Sequence, residues 1–284
     1  EMLEFRIGDV RDMASIAGAL QGADVVFNAA ALKQVPTCEY YPFQAVLTNI
    51  HGPENIVRAV EELRIPVKTV VGISTDKACK PVNVMGMTKA VQERIFIQAN
   101  IRCPNTRFIC VRYGNVLASR GSVIPLFREQ IRNGGPVTIT DPGMTRFLLS
   151  LDQAVDTIFD AVSTAQAGET YIPRVPSARI TDIAAALIGA RKTEMKITGI
   201  RPGEKTHEIL VSEEERFRTV ERGACYAILP ILPELHRTAA VASPLADEYS
   251  SANDLLTPDQ VAALLRRQKL MLEDPSEDGW ELLR

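Results

Sequence analysis

Ile73-Ser74-Thr75-Asp76-Lys77-Ala78-Cys79-Lys80-Pro81-Val82-Asn83-Val84-Met85-Gly86-Met87-Thr88-Lys89 decides how the rest of the chain is read. Ahead of it, Thr69-Val70-Val71-Gly72-Ile73 is an apolar strand that stops at two hydroxyls, a carboxylate and an amine in unbroken succession. In an open α/β sheet, ligands sit in the crevice outside the carboxyl ends of the strands, so polar groups there are aimed at a substrate. Pro81 and Asn83 turn the chain, and a helix beginning near Val84 puts Met85 and Lys89 four apart on one face. Read without its surroundings, Ser-Thr-Asp-Lys is equally a solvated strand-to-helix turn, because Ser and Asp are common turn and cap residues.

Working back from this run, residues 3–7 read as a strand, residues 12–20 as a short helix stopped by Gly22, and residues 24–28 as a second strand. Strands alternating with helices of this length imply βαβ units and a parallel sheet. Asp9 and Asp12 cap the first helix on this reading. Ala29-Ala30-Ala31-Leu32-Lys33-Gln34-Val35-Pro36 follows the second strand; its small residues permit close approach of a ligand to the backbone, or simply close strand packing. A helical pattern then runs over residues 42–63 with Asn49 inside it, where a polar side chain can satisfy a neighbouring backbone group.

Working forward, a helix over residues 85–100 leads to the strand Arg107-Phe108-Ile109-Cys110-Val111-Arg112-Tyr113. Residues 114–127 leave its carboxyl end as a polar, Gly-punctuated loop, the place where substrate contacts are expected or else a plain crossover. Residues 137–140 form a strand followed by a turn, and a helix covers residues 151–164. A strand at 170–172, a helix at 181–188 and a strand at 195–198 look like a smaller lobe, closed by Ile200-Arg201-Pro202-Gly203-Glu204-Lys205. A helix over residues 258–272 and a loose charged end from 273 finish the chain.

The chain has 284 residues, 46% of them hydrophobic, enough for a large core in one or two domains. A net charge of −3 with scattered Lys and Arg argues against nucleic-acid binding. Five cysteines without a C-x-x-C pair and only three histidines argue against a disulfide framework and a metal site. The chain therefore reads as reduced and cytoplasmic, with Cys79 a small buried thiol. No apolar run reaches the length of a membrane span, although the sequence starts at Glu1 rather than at a Met.

The central run resembles the extended short-chain dehydrogenase/reductases that modify nucleotide sugars, whose helix carries Tyr-x-x-x-Lys and whose strand end carries Ser or Thr, Asp and a base. Asp76-Lys77 in place of Asp-Glu is similar to the UDP-N-acetylglucosamine 4,6-dehydratases that invert C5. Met85 at the tyrosine position resembles the capsular-polysaccharide subgroup. Ala-Leu-Lys-Gln-Val-Pro, Thr145-Arg146-Phe147 and Arg201-x-Gly-Glu204-Lys match further elements of the family in its order.

The resemblance implies an α/β fold: a Rossmann-type doubly wound parallel sheet over residues 1–168, with 114–136 contributing to the substrate site, and a smaller substrate-binding lobe over 169–284. In the family's terms, the first βαβ unit, which holds the cofactor pyrophosphate at a helix N-terminus, is missing from this sequence. The cofactor implied is NADP, with NAD second. Its contacts fall on Asp9 and Val10 at the adenine, and on Ala29, Ala30, Lys33, Asn49, Ser74, Lys89 and Tyr113. UDP-N-acetylglucosamine would meet Lys33, Asn115, Ser122, Val123, Thr145, Arg146, Arg201 and Glu204, an arginine fork suiting a pyrophosphate. Thr75, Asp76, Lys77 and Lys89 are the implied catalytic set.

The resemblance implies that hydride would leave C4 of the sugar, Lys77 would take the C5 proton, Asp76 would protonate the departing C6 hydroxyl, and the hydride would return to C6. A thioether cannot take the 4-hydroxyl proton, which leaves Lys89 through a water, or Asp76, with Met85 an apolar filler. The family also implies a homo-oligomer, a hexamer. Two other readings remain: a nucleotide-sugar epimerase or reductase, and a non-catalytic nucleotide-binding scaffold.

Overall fold

The computed structural model describes residues 3–119, 122–235 and 242–274. Residues 275–284 of the loose end expected from 273, and Arg120 and Gly121 of the loop after the third strand, lie outside them. The chain divides into two units that exchange it several times. Unit 1 takes Glu1–Tyr113, Val155–Arg174 and Ile209–Tyr249, and unit 2 takes Gly114–Ala154, Val175–Glu208 and Ser250–Arg284. A single boundary at residue 168 describes neither.

In unit 1, β1 (Val25–Asn28), β2 (Thr69–Thr75) and β3 (Arg107–Tyr113) lie side by side in parallel, Val25 opposite Thr69 and Thr69 opposite Arg107. Thr170–Pro173 joins the far side of β3 in parallel, and Cys225–Ile228 and Thr219–Arg222 extend the sheet antiparallel. The strand near residue 170 therefore belongs to the main sheet and not to a smaller lobe. It follows the helix Leu151–Thr164, which acts as the crossover that a parallel return requires.

Alternate residues of the strands face opposite layers. Val70, Phe108 and Cys110 pack with Ile16, Leu20, Ile56, Val57, Phe96 and Ala99 on one side. Val71, Ile109 and Val111 pack with Ala161 and Ala165 on the other. Helices on both faces of a parallel core make this unit a Rossmann-type α/β fold.

Asp12 caps the helix Met13–Leu20, its carboxylate accepting from Ala14 and Ser15 N–H as expected. Residues 3–7 are not a strand. Leu3, Phe5 and Ile7 are exposed, and these residues pair with no strand, so their alternation has no ladder to join. The pattern read as one helix over 42–63 is Pro42–Val46, a π-helical turn at Leu47–His51, and Gly52–Glu62. Pro53 has no N–H to give to the carbonyl four residues back, which is a local reason for the wide turn.

Unit 2 has its own core, in which Ile124, Phe127 and Ile131 pack with Ile183, Leu187, Val261 and Leu265. Val137–Ile139 pairs in parallel with Met195–Ile197, and Thr145–Phe147 pairs antiparallel with Ser177–Arg179. Among the described residues, no helix is long and apolar enough to cross a membrane, and no group of His, Cys, Asp or Glu is arranged to hold a metal. All five cysteines are buried thiols outside any disulfide.

Candidate active site at the carboxyl end of the second strand

β2 runs on to Thr75, and Asp76–Ala78 then form a single 3-10 turn. Thr75 Oγ1 donates to Asp76 Oδ1 at 2.7 Å, and Lys77 Nζ donates to the same oxygen at 3.0 Å. Asp76 is fully buried, and its other oxygen, Oδ2, has no hydrogen-bond partner. A buried carboxylate oxygen without a donor is costly, so this atom is open to a donor such as a ligand hydroxyl.

The long helix Val84–Arg102 begins beside this turn. Asn83 Oδ1 accepts from Gly86 N at 2.8 Å, and Glu39 Oε1 accepts from Val84 N at 2.7 Å, satisfying two of the helix's free N–H groups. One turn in, Lys89 is buried and its Nζ donates to Gln92 Oε1 at 2.7 Å. Burial pushes the amine down to about 8, against the opposing pull of Cys110 and Glu93. Met85 lies on the same helix, buried with Cys38 and Ala45.

Asn49, presented by the π turn, is buried and fully engaged. Its Oδ1 accepts from Leu32 N at 2.8 Å, and its Nδ2 donates to Leu32 O at 3.0 Å and Thr88 Oγ1 at 3.0 Å. It thereby fixes the backbone after β1 against the long helix. Ser74 is likewise committed, its Oγ donating to Glu93 Oε1 at 2.5 Å. Glu93 in turn accepts from Arg112 Nε at 3.0 Å and Nη2 at 2.6 Å, and Arg112 also grips Glu215 at 2.7 and 2.9 Å. Burial opposes ionisation of Glu215, but Arg112 outweighs it and holds the carboxyl at about 2.

The structure thus gathers Ser74, Thr75, Asp76, Lys77, Lys89 and Asn49 around one strand end. Tyr113 stands opposite Thr75 on β3, with its phenol pushed up by burial. Ala29, Ala30 and Lys33 are exposed on the segment that follows β1. Asp9 is exposed and its carboxylate pairs with Arg11 at 2.6 Å, which holds it at about 2. Val10 O accepts from Asn55 Nδ2 at 3.0 Å, while its side chain packs on Gly52.

In unit 2, Asn115 Oδ1 and Ser122 Oγ are buried atoms without a hydrogen-bond partner, and Ser122 and Val123 open the helix Val123–Arg132. Thr145 Oγ1 meets Ser251 Oγ at 2.7 Å and His207 Nδ1 at 2.8 Å. Arg146 Nη1 donates to the carbonyls of Thr145 at 2.7 Å and Thr206 at 3.1 Å, so this guanidinium ties two segments of its own unit together. Arg201 is exposed on a turn in which its carbonyl accepts from Glu204 N at 3.1 Å.

Residues 1–230 match the model of a family described as polysaccharide biosynthesis protein. The chain belongs to that family. Among relatives of known sequence, an uncharacterised membrane protein of Methanocaldococcus jannaschii is 46% identical over 242 residues, 81% of this chain and 72% of that protein. A protein of Rickettsia typhi named UDP-glucose 4-epimerase is 46% identical over 230 residues, 80% of this chain and 67% of its own. Among solved structures, Pen from Bacillus thuringiensis aligns with a TM-score of 0.85 at 34% identity, over 93% of this chain and 82% of that one. DesIV, a dTDP-glucose 4,6-dehydratase from Streptomyces venezuelae solved with NAD, shares the fold at a TM-score of 0.63 and 21% identity, over 70% of this chain and 68% of that one.

Sequence reasoning passed over Thr88, Gln92, Glu93, Arg112 and Glu215. Gln92 and Glu93 had a signal, lying three and four residues beyond Lys89 on the same helix face. Arg112 had another, since a lone arginine inside an apolar strand has to find a buried counter-charge.

Proposed function

We propose that the protein is a nucleotide-sugar 4,6-dehydratase of polysaccharide biosynthesis, acting on UDP-N-acetylglucosamine with inversion at C5. The observation that carries this reading is the Asp76-Lys77 pair, in which Lys77 Nζ donates to Asp76 Oδ1 at 3.0 Å while the buried Oδ2 has no hydrogen-bond partner. Loss of water across C5 and C6 needs a base for the C5 proton and an acid for the C6 oxygen, close together. Lys77, when neutral, takes the first role, and Asp76, through Oδ2, the second. Thr75 fixes Asp76 through Oδ1 and so aims the other oxygen. Protonation of C5 by water from the face opposite Lys77, in place of return of the proton by Lys77 itself, inverts that centre.

The residues present fit the nicotinamide end of a dinucleotide, NADP before NAD. Asn28 Nδ2 is a buried donor without a partner at the end of β1, Ala29 and Ala30 leave the backbone approachable, and Lys89 lies within the same unit. When bound, such a cofactor supplies an acceptor for the C4 hydride and its return to C6. Lys89, placed one helical turn after Met85, gives and takes the 4-hydroxyl proton. Lys33, Asn115, Ser122, Val123, Thr145, Arg146, Arg201 and Glu204 are proposed as substrate contacts, with the open Asn115 Oδ1 and Ser122 Oγ the most direct support. A cytoplasmic homo-oligomer is part of the same proposal.

The Rickettsia relatives named as 4-epimerases favour a second reading. Epimerisation at C4 requires neither a C5 base nor an acid for the C6 oxygen, so it leaves the Asp76-Lys77 pair without a task. One substrate separates the two: UDP-N-acetylglucosamine carrying deuterium at C4, incubated without added reductant. A dehydratase moves the label to C6, whereas an epimerase returns it to C4. Label that stays at C4 overturns the dehydratase reading.

A further inference from the structure

Lys89 donates a hydrogen bond to Gln92 Oε1, and what holds the other end of that glutamine determines what Lys89 can do. Gln92 is wholly buried, and its Nε2 donates to Ile73 O on β2 at 3.1 Å. The amide therefore has only one satisfactory orientation. Turned over, it would set its oxygen against the Ile73 carbonyl in either protonation state, and its NH2 against the lysine whenever that is an ammonium. Gly72 gives it room, since a Cβ at residue 72 would stand 3.2 Å from Gln92 Nε2 and would overlap the ring of Phe96. One polar side chain, pinned to the backbone of the strand that ends in Ser74-Thr75-Asp76, thus fixes where the lysine nitrogen sits.

We infer that Gln92 is a positioning residue for the Lys89 amine, holding it by an uncharged acceptor so that the lysine can exchange a proton at the strand end where Met85 offers no phenol. The inference rests on the reading of Lys89 as the acid–base group of the proposed reaction. An amide oxygen accepts a bond from an ammonium N–H and from an amine N–H alike, so the contact survives both protonation states. A carboxylate at the same point would bind the ammonium far more strongly and hold the proton.

The charged and titratable groups around this amine are already committed or lie elsewhere. Glu93 on the same helix is engaged by Ser74 and Arg112. Cys110, from β3, is a buried thiol held strongly towards its neutral form by desolvation. The turn packed on the helix brings Asp76 and Lys77, which pair with each other. Glu39 caps the helix N-terminus, and the π turn presents the uncharged Asn49. The burial-depressed lysine described above agrees with an amine kept ionisable near neutrality.

The test is a pair of near-isosteric changes that act in opposite directions, Gln92→Glu and Gln92→Met, in the full chain. The direct readout is the NMR titration of the Lys89 side chain in protein with 13C-labelled lysine, assigned with Lys89→Met; it needs no substrate and no turnover. Gln92→Glu should raise the Lys89 midpoint by about one pH unit or more, a tenfold change in proton affinity. Gln92→Met, which removes the acceptor, should lower it. The acidic limb of kcat should follow the same two shifts, with KM within about threefold of the parent in both.

A role confined to packing would move the midpoint the same way in both variants, or not at all, and that result overturns the inference. So does a midpoint that moves while the kcat profile stays in place. If Gln92→Glu does not fold, the downward shift in Gln92→Met decides alone. Failure of the dehydratase reading shows separately, as deuterium that does not reach C6 in the parent enzyme.

Discussion

Gly86 lies with its Cα against the backbone carbonyl of Lys77, leaving no space for a side chain between the long helix and the turn at Asp76–Ala78. A Cβ there would overlap the Lys77 oxygen and stand 3.0 Å from its carbonyl carbon and 3.2 Å from Pro81 Cβ. Because backbone atoms cannot swing aside as a side-chain tip can, Gly86→Ala must displace the turn or the helix. The expected cost is about 1–3 kcal/mol of stability, as for other overpacked sites. Turnover should fall by more than that loss explains, since the Lys77–Asp76 pair moves with the turn. Thermal unfolding and steady-state kinetics of the same preparation check this; a Gly86→Ala protein with parental kcat would show that the turn need not be held in place.

Met85 and Lys89 share a helix face but have different neighbours, and the two should part company under mutation. Met85 is packed with Cys38 and Ala45, so Met85→Leu keeps the volume and should cost less than about 1.5 kcal/mol, with turnover within a few-fold of the parent. Lys89→Ala should remove most of the turnover, of the order of 10²-fold or more for a lost acid–base group. A Met85→Leu protein as inactive as Lys89→Ala would give the thioether a role beyond packing.

Arg112 is 2% exposed and is the shared counter-charge of Glu93 and Glu215. Removing it in Arg112→Met leaves two buried carboxylates unpaired, and should cost about 3–5 kcal/mol at neutral pH. The pH dependence gives a sharper signature. Glu215 titrates at about 2 in the fold against an ordinary 4.5, so its contribution is complete above pH 4.5 and is lost as pH falls through 2. Without Arg112 that acid loss should vanish, and mild acid should stabilise the variant by neutralising the stranded carboxylates. Urea unfolding between pH 3 and 7 reads the difference in slope.

The turn at Asp76–Ala78 and the helix after it were legible because their signals are local. The apolar run of β2, the polar strand end, Asn83 as a cap and the apolar strand 107–113 each declare themselves within a few residues. The buried cluster behind the turn was not legible, because its members come from distant stretches. Arg112 and Glu215 are 103 positions apart, and nothing near either names the other. Residues 3–7 failed for the opposite reason. Their alternation is a genuine strand pattern, but a strand also needs a neighbour to bond with, and a pattern does not carry that information. The Thr-Arg-Phe triplet likewise carried no sign of which groups Arg146 Nη1 would meet, the carbonyls of Thr145 and Thr206.

Lys89 should be a residue that the fold tolerates at a cost, and the cost should depend on pH. Its amine titrates at about 8 in the fold, against 10.5 when exposed, because burial disfavours the ammonium. Below pH 8 the folded protein carries a buried ammonium and the full penalty is present. Between 8 and 10.5 the unfolded chain binds more protons than the folded one, so this group adds stability as pH rises; above 10.5 the penalty is gone. Lys89→Met keeps the alkyl stem and removes the charge, and should therefore stabilise the protein at pH 7, by of the order of 2–3 kcal/mol before the lost Gln92 bond is subtracted. The gain should shrink steadily as pH is raised from 8 to 10. Chemical denaturation of the two proteins at pH 7, 8, 9 and 10 measures this; a gain that does not change with pH would mean that the lysine is not neutralised by burial and that its proton is not available for exchange near neutrality.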